Sequence, residues 1–285
     1  MTEIDIDYLR GWIGRERVRE ELLAPVAVQA LSAALDREQV PMQSEALPPT
    51  WQWLYFNDCA RRSDLGVDGH GRTGDFLPPV PLPRRMWASG EFICEQPLRI
   101  GELAEQRSVV TSVELKEGKT GTLLFVSLEH QISQQGQRCL VEKQHLVYRE
   151  MANGPSPFRP GDPAPGAADS QQPFQPDPVL LFRYSALTFN GHRIHYDRDY
   201  TTQQEHYPAL VVHGPLLATL LAEQVAIQMP EVRVSGFGFR AVRPVFDTDH
   251  LLLCSKRSGD SVDLWTQNQD GFVTMIATAK VEVPQ

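Results

Sequence analysis

Pro215-Leu216-Leu217-Ala218-Thr219-Leu220-Leu221-Ala222-Glu223-Gln224-Val225-Ala226-Ile227 is the clearest helical signal in the chain. Proline suits the first helical position, where its missing N–H would lack a partner in any case. Leu216, Leu217, Leu220, Leu221, Ala222 and Val225 then give a wide apolar surface, so this helix must be largely buried. What surrounds it reads as strand. Residues 251–256, a turn at Ser258-Gly259-Asp260, residues 262–267, a turn at Gln269-Asp270-Gly271 and residues 272–283 form an antiparallel meander. Residues 107–115, a turn at Glu117-Gly118, residues 122–132, a turn at Gln135-Gly136 and residues 138–149 follow the same plan in the first half. A weaker helix at 25–37 serves that half. The fold class is α+β, two antiparallel sheets each wrapped around a central helix.

A chain of 285 residues, 41% hydrophobic and 22% charged, has material for two buried cores, which excludes disordered and fibrous classes. Between Asn153 and Pro178 eight prolines stand among glycine, serine and alanine, a composition too stiff and polar to pack. This linker, 153–178, divides an N-terminal domain, 1–152, from a C-terminal domain, 179–285. No apolar run approaches the ~20 residues of a membrane span. Met1-Thr2-Glu3-Ile4-Asp5 lacks the basic and apolar segments of an export signal, so a cytoplasmic location is expected. Cys59, Cys94, Cys139 and Cys254 stand too far apart for a zinc or redox pair and read as core residues. A net charge of -9 gives no footprint for nucleic acid, while local basic groups remain to hold a phosphorylated ligand.

Reactive side chains concentrate in Tyr184-Ser185-Ala186-Leu187-Thr188-Phe189-Asn190-Gly191-His192-Arg193-Ile194-His195-Tyr196-Asp197, ahead of the buried helix. In Val211-Val212-His213-Gly214-Pro215, Gly214 puts an uncovered backbone N–H at a helix start, a natural site for a developing oxyanion.

These two segments resemble the MaoC-like acyl-thioester hydratases and dehydratases, whose signature is an acid, an asparagine and a histidine ahead of a His-Gly-x-Leu helix start. The likeness covers residues 182–226, and 51–69 and 84–90 are similar to the N-terminal half of the double-hotdog dehydratases. The run Ser185-Ala186-Leu187-Thr188-Phe189-Asn190 with His192, Ile194, His195, Tyr196 and Asp197 is most similar to the itaconyl-CoA and mesaconyl-C4-CoA hydratases and to hydroxyacyl-thioester dehydratase type 2. The resemblance implies a double hotdog with one active site per chain, catalysis in the second half and substrate shaping in the first. It also implies addition of water to an enoyl thioester, which needs a base near water, a proton donor for the α-carbon and a donor to the thioester oxygen. For that chemistry His195 suits both proton transfers in turn, Asn190 can hold the water, and the Gly214 N–H can polarise the carbonyl. Asn190 stands where the broader signature has its aspartate, and His192 where it has asparagine. The mechanism therefore lacks a carboxylate, which leaves His195 alone as base or brings in Asp197, Glu205 or a group from the first half.

The expected catalytic set is His195, Asn190 and Gly214, with His192, His213, Arg240, Arg243 and Arg84 binding substrate. Arg240 and Arg243 suit coenzyme A phosphates, and Arg84-Arg85 a substrate carboxylate or the coenzyme. Trp51, Trp53, Tyr55, Phe56, Trp87 and Phe92 wall the acyl pocket or fill the core. His192, His195 and Asp197 have the spacing of a metal site, but the leucine-rich helix that follows favours none. The implied reaction is reversible hydration of a short, carboxylated enoyl-CoA, itaconyl-CoA or mesaconyl-C4-CoA to citramalyl-CoA, as in itaconate degradation. No cofactor is implied beyond the coenzyme A of the substrate. One rival is a 3-hydroxyacyl dehydratase of fatty-acid synthesis acting on acyl carrier protein or CoA chains, which needs a long apolar tunnel. The other is a hotdog that binds acyl thioesters without turnover. A homodimer and a monomer both fit the duplicated plan.

Overall fold

The computed structural model describes residues 4–118, 121–152, 154–155 and 161–283. In chain order the elements are α1 (Ile6–Arg10), β1 (Glu16–Leu22), α2 (Pro25–Ala34), β2 (Arg84–Cys94), β3 (Leu103–Gly118), β4 (Gly121–Gln134), β5 (Gln137–Arg149) and β6 (Ser170–Phe174). There follow α3 (Pro178–Leu187), α4 (Arg198–Gln203), α5 (Gly214–Gln228), β7 (Arg233–Ala241), β8 (Leu251–Ser258), β9 (Ser261–Asn268) and β10 (Val273–Glu282). Single helical turns occur at Trp51–Leu54 and Arg193–His195. Both expected meanders are present, β3-β4-β5 and β8-β9-β10, with every strand longer than expected except β10, which is one residue shorter at each end. Glu117 and Gly118, expected as a turn, belong to β3, and residues 119–120 lie outside the described residues.

Strands from the two halves join in one antiparallel sheet of order β1-β3-β4-β5-β2-β7-β10-β9-β8-β6. The seam is β2 against β7, from Ser89↔Arg240 to Ile93↔Gly236. Glycine makes the seam close: a Cβ on Gly90 would sit 3.0 Å from the Phe239 ring and 3.2 Å from the Lys143 carbonyl oxygen.

Around α5 the sheet closes as its apolar surface demands. The helix packs on β7, β8, β9 and β10, and every residue from Leu216 to Val225 is buried. Two of its buried polar residues are anchored: Glu223 pairs with Arg37 at 3.2 Å and accepts from Trp51 Nε1 at 2.9 Å, while Gln224 Nε2 donates to the Leu253 carbonyl at 3.1 Å. The first half differs. Its helix α2 is ten residues long, buries only Val28, Leu31 and Ser32, and packs on α3 and the 51–54 turn. Val110, Leu124, Val126 and Tyr148 of the first half's strands instead meet Leu9, Phe76 and Leu82 in a second core. The shorter helix leaves room beside α5, and that room is the site described below.

Of the proline-rich segment 153–178, residues 153 and 156–160 lie outside the described residues. Ser170–Phe174 extends the sheet by pairing with β8, and Asp177 caps α3 by accepting from the Val179 and Leu180 N–H groups at 2.7 and 3.1 Å.

Leu221→Ala in α5, at a fully buried position, is expected to cost about 2–5 kcal/mol in urea unfolding. Val26→Ala on α2, whose side chain is exposed, is expected to cost less than about 0.5 kcal/mol. Equal losses would contradict the difference in burial between the two helices.

Candidate active site

The chemistry-bearing segment begins where α3 ends. Phe189 takes a left-handed conformation (φ 48°) and the Asn190 N–H returns to the Ser185 carbonyl at 2.8 Å, which reverses the chain. Asn190 Oδ1 then accepts the His192 N–H at 3.0 Å in an Asx turn, which commits Oδ1 and not Nδ2. This turn feeds the Arg193–His195 helical turn, in which Ile194 and His195 are buried.

His195 is fixed by two contacts. Its Nδ1 lies 2.7 Å from the Val211 carbonyl, and its ring stacks on His213 with centroids 3.7 Å apart. A carbonyl only accepts, so Nδ1 carries the hydrogen and Nε2 keeps its lone pair. Burial pushes the His195 pKa down to about 4, so the ring is a neutral base at ordinary pH. His213 precedes α5, and its Nε2 pairs with Ser185 Oγ at 2.8 Å. It is fully buried beneath His195 and acts as a platform rather than a cleft wall. Gly214 opens α5, so its N–H has no partner within the helix.

A cleft of about 1660 Å³ holds these groups together. His195, Asn190, His192 and Gly214 line it, facing Trp53 and Trp87, whose rings meet edge-on at 5.0 Å. Arg84 also lines it, but its guanidinium is buried against Glu205 at 2.7 Å and lies over Tyr207. Arg243 lines it beside Phe272. Arg240 is exposed on β7 and is not among the lining residues. Neither second-half carboxylate weighed as a replacement base is available. Asp197 pairs with Arg193 and caps α4, and Glu205 holds Arg84.

The sequence reading did not single out Asp68, His70 or Glu142, and all three stand at or beside this cleft. His70 Nδ1 lies 2.7 Å from Asp68 Oδ2, and its ring is 4.2 Å from that of His192, which is 5.4 Å from His195. The signal for this pair was local: Asp68-Gly69-His70-Gly71 sets a histidine between two glycines, two places after an aspartate. Arg85 lines the cleft and, among the described residues, makes no ion pair. Glu142 on β5 accepts from Trp53 Nε1 at 2.8 Å and Gln52 Nε2 at 3.3 Å, and burial pushes its pKa up to about 7. Asp68, His70 and His192 have ligand atoms within 4.8 Å of one another, the spacing of a metal site. Both Asp68 oxygens are already committed to His70, one to Nδ1 and one to its backbone N–H, so the arrangement is a carboxylate–histidine pair.

The family model for hydroxyacyl-thioester dehydratase type 2 matches residues 50–247, which spans both sides of this cleft. The chain belongs to that family. It is 40% identical over 281 residues to the mesaconyl-C4-CoA hydratase of Chloroflexus aurantiacus, covering 95% of this chain and 97% of that protein. The family's members are named as hydratases and dehydratases, which are hydro-lyases, and the chain is an enzyme of that class. In fold it matches a MaoC-like dehydratase from Phytophthora capsici (TM-score 0.68, 11% identity, 98% of each chain). It also matches a Mycobacterium tuberculosis protein described as a double hotdog (TM-score 0.57, 11% identity, 95% of this chain and 96% of that one). The α+β double hotdog expected from the sequence is the fold. Among the described residues no helix is long and apolar enough to cross a membrane.

Burial lowers His130, also in the cleft, to about 4, as it does His195. Their folded values lie below the unfolded ~6.5, so the stabilisation is complete above that pH and is lost as pH falls toward 4. Stability is expected to fall by roughly 1.4 kcal/mol per pH unit for each such histidine in this window. Urea midpoints measured from pH 7 to 4 check this, and His130→Gln should give a shallower decline. A slope unchanged by that substitution would contradict the assignment.

Proposed function

We propose that the protein reversibly hydrates a short, carboxylated enoyl-CoA, mesaconyl-C4-CoA or itaconyl-CoA, to citramalyl-CoA. The observation that carries this reading is the placing of a neutral imidazole, His195, in one cleft with the N–H that opens α5. With mesaconyl-C4-CoA, whose double bond is conjugated with the thioester, His195 Nε2 takes a proton from water held by Asn190 Nδ2 as the water oxygen bonds to the β-carbon. Charge that develops on the thioester oxygen meets the Gly214 N–H and the positive end of α5. Burial strengthens that interaction because water does not screen it.

Arg85 receives the carboxylate of the acyl group. It lines the cleft, makes no ion pair among the described residues, and suits a carboxylate with its planar fork. Arg243 holds the coenzyme. Dehydration of a hydroxyacyl thioester, the reaction in the family's description, is the same chemistry run backward with the same groups. No cofactor is needed beyond the coenzyme A of the substrate, and the enzyme works in the cytoplasm.

Product formation from mesaconyl-C4-CoA, itaconyl-CoA and crotonyl-CoA, followed by mass spectrometry, tests the reading. His195→Ala is expected to lower kcat about 10²–10⁴-fold with little change in KM. Turnover equal to wild type would show that another group is the base.

Arg85→Gln is expected to raise KM for mesaconyl-C4-CoA about 10-fold or more while leaving crotonyl-CoA nearly unaffected, since only the former carries a carboxylate. Equal effects on both substrates would place Arg85 on the coenzyme instead.

A further inference from the structure

We propose that Asp68 and His70 complete the active site as its second acid–base group, with His70 Nε2 exchanging the proton at the substrate's α-carbon. This assignment rests on the hydratase reading and extends it. Hydration moves two protons, one off water and one onto carbon. His195 accounts for the first, and the two second-half carboxylates weighed for the site, Asp197 and Glu205, are already paired with arginines.

The first half supplies a carboxylate. It only accepts, so the 2.7 Å contact between His70 Nδ1 and Asp68 Oδ2 puts the hydrogen on Nδ1 and leaves Nε2 to bind and release a proton in the cleft. The negative charge of Asp68 then stabilises the imidazolium whenever Nε2 binds a proton, the same arrangement by which a buried aspartate supports a catalytic histidine elsewhere. His195 has only a carbonyl dipole behind it.

Delivery of this pair is built into the backbone. Gly69 has φ +89°, and a Cβ there would land on the Gly191 carbonyl oxygen. A Cβ on Gly191 would in turn lie 2.7 Å from the Gly69 carbonyl oxygen. The two glycines let main chain from the two halves touch. Arg193 then clamps the loop, its N–H donating to the Asp68 carbonyl at 2.9 Å and its Nη1 to the Val67 carbonyl at 3.1 Å. The turn that presents His195 thus also seats His70.

In the forward direction the water oxygen bonds to the β-carbon and its proton passes to His195 Nε2. The π electrons move to the thioester oxygen, forming an enolate at the Gly214 N–H. As the carbonyl re-forms, the α-carbon takes a proton from His70 Nε2–H. The proton left on His195 returns to His70 through His192, whose ring lies beside both, so one water is consumed and the enzyme is restored. After burial, the charge of Arg85 is the main influence holding the His70 pKa down. A substrate carboxylate on Arg85 offsets that charge and favours protonated His70.

The test compares wild type, His70→Ala and Asp68→Asn for hydration of mesaconyl-C4-CoA and crotonyl-CoA. It also follows exchange of the α-hydrogen of the hydroxyacyl-CoA product in deuterated water. His70→Ala is expected to lower kcat and α-exchange together by about 10²–10⁴-fold with KM within about 3-fold, and added imidazole to restore part of both. Asp68→Asn, which keeps shape and removes charge, is expected to lower both by about 10-fold or more. Wild-type rates in both variants would overturn the proposal while leaving the hydratase reading intact. So would a loss in His70→Ala that imidazole does not restore, with Asp68→Asn unaffected. Stoichiometric zinc or iron in wild type that is lost in His70→Ala would overturn it in favour of a metal site. A wild type inactive on every thioester offered would overturn the hydratase reading itself.

Discussion

Burial of α5 is the constraint on which the rest depends. Every residue from Leu216 to Val225 is inside, so β7 to β10 close round the helix and β2 joins them at the seam. The N-terminus of the enclosed helix opens into the cleft through Gly214. His213, one residue before it, is carried into the core and becomes the surface on which His195 stacks. The same burial that stabilises the second half therefore sets both the donor for the thioester oxygen and the orientation of the base. The short α2 is the counterpart of this arrangement: where the first half's strands have no full helix to enclose, a cavity remains that spans both halves.

Electrostatics in that cavity follow from low exposure rather than from strong pairing. His195, His192 and His213 are all held below the ordinary histidine range, with desolvation as the leading cause in each. Neutral imidazoles pack at ring distance without repulsion, which a set of charged rings would not allow. Arg85 is the contrasting element, a cation at the cleft that makes no ion pair among the described residues and acts on Asp68 only through its charge. Arg84, next to it in sequence, is spent on Glu205.

Elements governed by local pattern were legible in the sequence. The α5 helix, both meanders and the cluster from Asn190 to His195 follow from periodicity, turn residues and residue type, and the structure brings Asn190, His192, His195 and Gly214 to one cleft. What depends on distant partners was not legible. The β2–β7 seam joins residues about 150 apart in the chain, and no strand pattern states which edge it will meet. Arg84 and Arg85 are the same residue type in adjacent places, separated only by which way β2 turns them and by a glutamate in the other half. Asp68 and His70 look like a loop until Gly69 meets Gly191. Arg240 has the right chemistry for a phosphate, but the pleat of β7 leaves it off the cleft wall.

The most direct test of the account is hydration of mesaconyl-C4-CoA in water enriched in ¹⁸O, with the position of the label read by mass spectrometry of the fragmented product. The account predicts one heavy oxygen at the β-hydroxyl and an intact thioester. Label in a free carboxylic acid released with coenzyme A, or recovery of unchanged substrate from active-site-intact protein, would contradict it.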